Sequence, residues 1–120
     1  MKRTLILGAS PNPERYAYKA TVMLAEHDHT VFPVGLRAGE IEGHQILVDT
    51  PVIENIDTVT LYVGPQNQPM YYDYILSQIK PKRIIFNPGT ENPELIDLAK
   101  KQGIETEIAC TLVLLSTNQY

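Results

Sequence analysis

The chain is poor in the features that support disulfide, metal or membrane chemistry. One cysteine, Cys110, stands among 120 residues. A single thiol builds neither a disulfide framework nor a cysteine-based zinc site, and it suits a reducing compartment. Long apolar runs are missing too; none approaches the roughly 18–20 residues that span a bilayer. The basic start Met1-Lys2-Arg3-Thr4 leads only into Leu5-Ile6-Leu7, too short for the apolar centre of a signal peptide. The expected location is therefore cytoplasmic, away from the membrane. Basic charge is also scarce: 10 Lys and Arg against 14 Asp and Glu leave a net charge of −4. A nucleic-acid surface needs a basic stripe to displace counterions, and here only Lys80, Lys82 and Arg83 cluster. An anionic ligand would have to be held by local dipoles and one or two arginines.

What is present is a core. Hydrophobic residues make up 43% of the chain and charged residues 20%, the balance of a globular protein that buries a core without staples. One domain, 1–120, is expected. Apolar, β-rich runs occur at Arg3–Gly8, Thr30–Val34, Thr58–Val63, Arg83–Phe86 and Glu105–Ala109. Ile46-Leu47-Val48 reads as a short edge or satellite strand. Helical patterns fall between them. Asn12-Pro13-Glu14 supplies a cap, a proline for the first helical position and an acid for the first turn. Ala17, Ala20, Thr21 and Leu24 then fall on one face. Asn67–Ile79 has helical spacing through Tyr71, Tyr74 and Ile75. Asn92-Pro93-Glu94 repeats the cap-proline-acid start, and Gly103 stops that helix. Thr111–Tyr120 has an apolar centre and a polar tail.

Strands that alternate with helices make a parallel sheet covered on both faces. The expected fold is α/β: a three-layer, Rossmann-like, doubly wound sheet of about five parallel strands in order 3-2-1-4-5. In such sheets the ligand lies outside the carboxyl ends of the strands, beside strand 1. Gly8–Arg15, Pro33–Arg37, Gly64–Gln68, Asn87–Thr90 and Cys110 belong to that edge. His27–His29, Lys80–Lys82 and Gln102–Gly103 belong to the opposite one.

The strand-to-helix junction Leu5-Ile6-Leu7-Gly8-Ala9-Ser10 is the leading ligand candidate, because unpaired N–H groups and the helix dipole favour a phosphate there. Two further absences narrow it. The dinucleotide fingerprint G-x-G-x-x-G keeps only Gly8; Ser10 and Pro13 replace the later glycines. The end of strand 2, Phe32-Pro33-Val34-Gly35, also lacks the acid that binds a ribose 2′-OH. Ser10, Asn12 and Arg15 can instead offer a hydroxyl, an amide and a guanidinium to phosphate oxygens. The topology brings no Cys/His, Ser/His or carboxylate pair to the ligand edge, so no catalysis is expected. His27 and His29 lack further metal ligands, and no metal site is expected. Cys110 reads first as a small buried hydrophobe.

Several of these segments, in this order and spacing, resemble the small coenzyme A-binding proteins, whose fold matches the CoA-binding domain of the succinyl-CoA synthetase α subunit. The matching segments are Gly8-Ala9-Ser10 with Arg15, Pro33-Val34, Ile41-Glu42-Gly43, Pro51 and Asp57, Pro69, Gly89 and Cys110. Departures fall at Gly35-Leu36, Val63-Gly64 and Asn87-Pro88. The resemblance implies a protein that binds CoA or an acyl-CoA. It places the pyrophosphate at Gly8–Ser10 with Arg15, the adenosine along Pro33, Val34 and Gly35, and the 3′-phosphate near Arg37. Gly64, Pro65, Pro88 and Gly89 would wall the pantetheine arm. It implies binding and not ligase activity, since none of the three histidines fills the phosphohistidine role. The expected partner is a small nucleotide-type ligand, and a homo-oligomer or partner subunit stays open. Alternatives are an NAD(P)- or AMP-type binder, or a non-catalytic subunit of a CoA-dependent enzyme.

Overall fold

In the computed structural model, which describes residues 1–120, five parallel strands alternate with helices. The strands are β1 (Arg3–Leu7), β2 (Thr30–Val34), β5 (Thr58–Leu61), β6 (Arg83–Phe86) and β7 (Glu105–Ile108). Two-residue strands β3 (Glu40–Ile41) and β4 (His44–Gln45) form a small hairpin after β2. The sheet runs β2-β1-β5-β6-β7, and Leu47 makes a parallel bridge to Val34 outside β2. With the Ile46–Val48 satellite counted as third, the expected 3-2-1-4-5 pattern stands, with β7 as a sixth strand beyond it. The strand that fills the third place differs: Thr58–Leu61 crosses to the far side of β1 and pairs with it, Leu5 opposite Val59. A satellite anchored by one bridge could not be ranked from its sequence as a full strand.

The sheet is doubly wound because its strands are apolar on both faces. Leu5 and Leu7 point to one side with Val59, Leu61, Ile84 and Phe86, against the helical segment Tyr71–Ile79 and α2 (Pro93–Lys101). Ile6 and Val31 point to the other side, against Ala17 and Leu24 of α1 (Tyr16–Glu26) and Leu115 of α3 (Thr111–Ser116). This period of two is what a strand buried on both faces requires. No helix is long and apolar enough to cross a membrane.

Three elements depart from the sequence expectation. Helix α1 starts at Tyr16, later than the Asn12-Pro13-Glu14 signal implied. Asn12 does cap, but it caps a separate turn: its Oδ1 accepts from Glu14 N at 3.0 Å and its carbonyl from Arg15 N at 3.1 Å. Arg15 is extended (φ −76°, ψ 141°), which divides that turn from the helix. The segment expected as one helix over Asn67–Ile79 is broken into 3₁₀ turns at Pro65–Asn67 and Pro69–Tyr71 and a π-helix at Tyr74–Ile79. Pro69 lacks an N–H and cannot continue a preceding helix. The wider π turn admits Tyr74, Ile75, Leu76 and Ile79 to the core together. Residues 111–116 form helix α3, and Tyr120 folds back to the amino edge of the sheet, where its hydroxyl meets Thr4 Oγ1 at 2.6 Å. The cap-proline-acid signal at α2 performs as expected: Asn92 Oδ1 accepts from Glu94 N and Leu95 N.

Candidate functional site

Two clefts open at the carboxyl edge of the sheet, one on each side of the β1–α1 loop. The wider, about 570 Å³, is lined by Gly8, Ser10, Glu14, Arg15, Tyr16, Ala17, Tyr62, Gly64, Pro88, Gly89 and Thr90. The second, about 370 Å³, is lined by Gly8, Ala9, Ser10, Pro11, Gly35, Leu36, Arg37, Val63, Asn67, Met70 and Tyr71. Gly8 and Ser10 belong to both, so the loop forms the ridge between them.

That ridge is shaped by two contacts. Gly8 N and Ala9 N both donate to Val34 O, each at 2.9 Å, which ties the loop to the end of β2. These two N–H groups are thus spent inside the protein. Gly8 has φ +97°, the left-handed region that glycine enters without strain. A Cβ there would stand 2.9 Å from Tyr62 O. At Gly35 a Cβ would stand 2.2 Å from Ala9 O, so no side chain fits beneath the loop. The N–H groups of Ser10, Tyr16, Ala17 and Tyr18 have no acceptor within the protein. Those of Ser10, Tyr16 and Ala17 belong to residues that line the wide cleft. Unpaired donors at the start of an eleven-residue helix are an anion-binding arrangement. Arg15 in the wide cleft and Arg37 in the second make no ion pair within the protein. Glu14 is the one carboxylate in either cleft.

The far walls are fixed by buried amides. Gln68 is fully buried; its Nε2 donates to Val63 O and to Thr90 O, both at 2.8 Å. Its Oε1 accepts from Asn92 Nδ2 at 2.9 Å. One side chain therefore ties the loop after β5 to the loop after β6. Asn87 works one layer deeper. Its Nδ2 donates to Thr60 Oγ1 at 2.7 Å and Leu61 O at 2.9 Å, and its Oδ1 accepts from Thr111 N at 2.9 Å. Buried polar groups are costly unless paired, and these are paired, which makes the walls rigid. Tyr62 stands between the loops, and burial pushes its phenol up to about 12.

Of the residues singled out in the sequence, Gly8, Ser10, Arg15, Gly64, Pro88 and Gly89 meet in the wide cleft, and Gly8, Ala9, Ser10, Gly35 and Arg37 in the second. Val34 and Pro33 lie in β2, where Val34 is 1% exposed and contributes its carbonyl rather than its side chain. Asn12 is spent on its turn, and Pro65 opens a 3₁₀ turn; neither lines a cleft. Cys110 precedes α3 and lines a separate small pocket with Tyr16, Tyr62, Asn87, Pro88 and Leu112. Tyr16, Tyr62 and Met70 line the clefts from outside the ranges that the sequence assigns to the ligand edge; Leu36 and Gln68 lie inside those ranges, but nothing in the sequence marks Gln68 as a wall tie. Thr90 and Asn67 did lie in the ranges assigned to the ligand edge. No groups of three or more His, Cys, Asp or Glu gather where they could hold a metal ion.

This arrangement has relatives. Residues 2–116 match a family model described as a CoA binding domain. The chain belongs to that family. No curated protein matches it. Among solved structures, the CoA-binding domain is similar to the crystal structure of an uncharacterized protein, with 55% identity, a TM-score of 0.97, and coverage of 100% of this chain and 98% of that one. It is also similar to a hypothetical protein from Pyrococcus horikoshii OT3 (27% identity, TM-score 0.84, coverage 97% and 82%). A Thermus thermophilus protein at 21% identity and TM-score 0.83 covers 99% of this chain and 91% of its own, and it shares the fold.

Proposed function

We propose that this chain binds coenzyme A or an acyl-CoA across the two clefts, as one binding domain, with no catalysis of its own. Membership of the CoA-binding domain family supports the ligand class. The observation that carries the reading is the set of unpaired donors at the loop–helix junction: the N–H groups of Ser10, Tyr16 and Ala17 beside the free guanidinium of Arg15. They fit a pyrophosphate, whose oxygens accept such donors without a metal. With Gly8 N and Ala9 N bonded to Val34 O, the anion is assigned to Ser10 and the helix start rather than to the glycine turn itself. The adenosine then belongs in the second cleft. Leu36 and Met70, exposed at 82% and 70%, give it apolar surface on which a base can lie. Arg37 in the same cleft meets the 3′-phosphate, and no carboxylate lines that cleft to repel it. The pantetheine arm runs through the wide cleft past Gly64 and Pro88-Gly89-Thr90. CoA brings a thiol that carries acyl groups; the protein's part is to hold and orient it. The chain works in the cytoplasm in this reading.

The test is calorimetry of the purified protein with CoA, dephospho-CoA, NAD, NADP and AMP. CoA binds most tightly, and dephospho-CoA is weaker by about tenfold, as expected for one charge-assisted contact. Tighter binding of NAD or AMP than of CoA would overturn the reading.

A further inference from the structure

Beyond the wide cleft lies a smaller pocket of about 260 Å³, walled by Tyr16, Tyr62, Asn87, Pro88, Cys110 and Leu112. Tyr16, Tyr62 and Pro88 belong to both spaces, so the pocket continues the cleft on the side of β6 and α3, away from Arg37. In the CoA reading, with the adenosine near Arg37 and the pyrophosphate at Ser10, the arm is directed along the wide cleft towards this pocket. The walls are uncharged. The amide of Asn87 is turned inward, with both ends bonded to Thr60, Leu61 and Thr111. Tyr62 stays a neutral phenol far above physiological pH. No Lys, Arg, His, Asp or Glu lines the space.

We infer that this pocket takes a short apolar acyl group carried on the ligand's thiol, so that the protein prefers such thioesters to free CoA and rejects acyl groups that end in a carboxylate. The inference rests on the CoA reading given above. A pocket of about 260 Å³ exceeds the roughly 30 Å³ share of one water several-fold, so a chain of a few carbons fits. A carboxylate placed there loses its water and gains no cation, which is costly. An apolar chain loses nothing of that kind and gains burial.

Isothermal titration of the wild-type protein with CoA, acetyl-CoA, butyryl-CoA and succinyl-CoA decides the matter. Affinity rises by about fourfold for each methylene that enters the pocket, so butyryl-CoA binds about tenfold or more tightly than CoA. Succinyl-CoA binds at least about tenfold more weakly than butyryl-CoA. Butyryl-CoA no tighter than CoA, or succinyl-CoA equal to butyryl-CoA, overturns the acyl pocket and leaves CoA binding standing. Failure of all four to bind overturns both readings. In Leu112→Trp, a larger side chain fills the pocket from α3, and the butyryl-CoA to CoA affinity ratio falls to about one. A ratio unchanged from wild type overturns the assignment.

Discussion

Arg15 and Arg37 are free cations on opposite sides of one backbone ridge, and each has its own expected effect. Arg15→Ala removes charge-assisted bonds worth about 1.5–3 kcal/mol, so CoA affinity falls about 10- to 100-fold in calorimetry. The loss applies equally to CoA and dephospho-CoA, because both carry the pyrophosphate. Arg37→Ala behaves differently: it weakens CoA to the level of dephospho-CoA and leaves dephospho-CoA unchanged. An Arg37→Ala protein that still distinguishes the two ligands would remove Arg37 from the 3′-phosphate. Gly35 is a residue-scale constraint of another kind. Its missing Cβ leaves room for Ala9 O, which would otherwise be 2.2 Å away. Gly35→Ala therefore lifts the loop and costs roughly 1–3 kcal/mol, read from the urea midpoint. The resemblance marked Gly35 as a departure; the geometry supplies a packing reason for the glycine.

At the scale of elements, the clefts depend on loops that are held by side chains rather than by sheet or helix bonds. Gln68 bonds to Val63 O, Thr90 O and Asn92 at once. Gln68→Ala removes the donor to Val63 O and to the buried Thr90 O and leaves Asn92 Nδ2 only its bond to the Tyr72 hydroxyl, at a cost of about 3 kcal/mol in urea unfolding. It also separates the β5 and β6 loops, so CoA affinity falls with stability. A variant that loses stability but binds CoA as before would show that the loops keep their places without the tie. Very little of this was legible in the chain. Gln68 sits in a polar stretch, Gln66-Asn67-Gln68, with no sign that its third member is fully buried. Asn92 was legible as a helix cap through its oxygen, but its amide contact to Gln68 is between elements and leaves no local trace. The shift of α1 to Tyr16 has the same character. The signals at Asn12 and Pro13 are real, and they close a turn, while Arg15 in extended conformation resets the helix start. That reset leaves the N–H groups of Tyr16 and Ala17 free, on two residues that line the cleft.

For the whole molecule, ligand and pH act on the same folding equilibrium. A ligand that binds only the folded chain adds RT ln(1 + [L]/Kd), about 2.7 kcal/mol at one hundred times Kd. Thermal melts with CoA should rise accordingly, and melts with AMP much less, since AMP spans neither the pyrophosphate site nor the arm. Alkaline pH works in the other direction. Burial holds the phenols of Tyr62 and Tyr74 up to about 12, while the unfolded chain titrates near about 10. The folded state therefore keeps its protons where the unfolded state releases them. The stability from these groups is complete below about pH 10 and is lost as pH rises from there towards 12. Urea unfolding at stepped pH should show that fall, and Tyr74→Phe, which deletes the hydrogen bond to Pro51 O, should make it shallower.

The sequence by itself determined the alternation of strands and helices, the two-sided burial of the sheet and which loops gather at its carboxyl edge. Those properties follow from local pattern: an apolar run such as Leu5-Ile6-Leu7 ending at Gly8 states its own burial and its own turn. It also carried the resemblance to CoA-binding proteins, through segments spread from Gly8 to Cys110. Only the tertiary structure decided which strand lies beside β1, because Thr58–Leu61 and the Leu47 satellite compete for places that depend on pairing across the sheet. It also decided which N–H groups are free. Gly8 N and Ala9 N are satisfied by Val34 O, a residue twenty-six positions beyond Gly8, and the donors left over are those of Ser10 and the helix start. Whether a backbone donor is available to a ligand depends on what the rest of the fold has already claimed, and no local stretch of sequence records that.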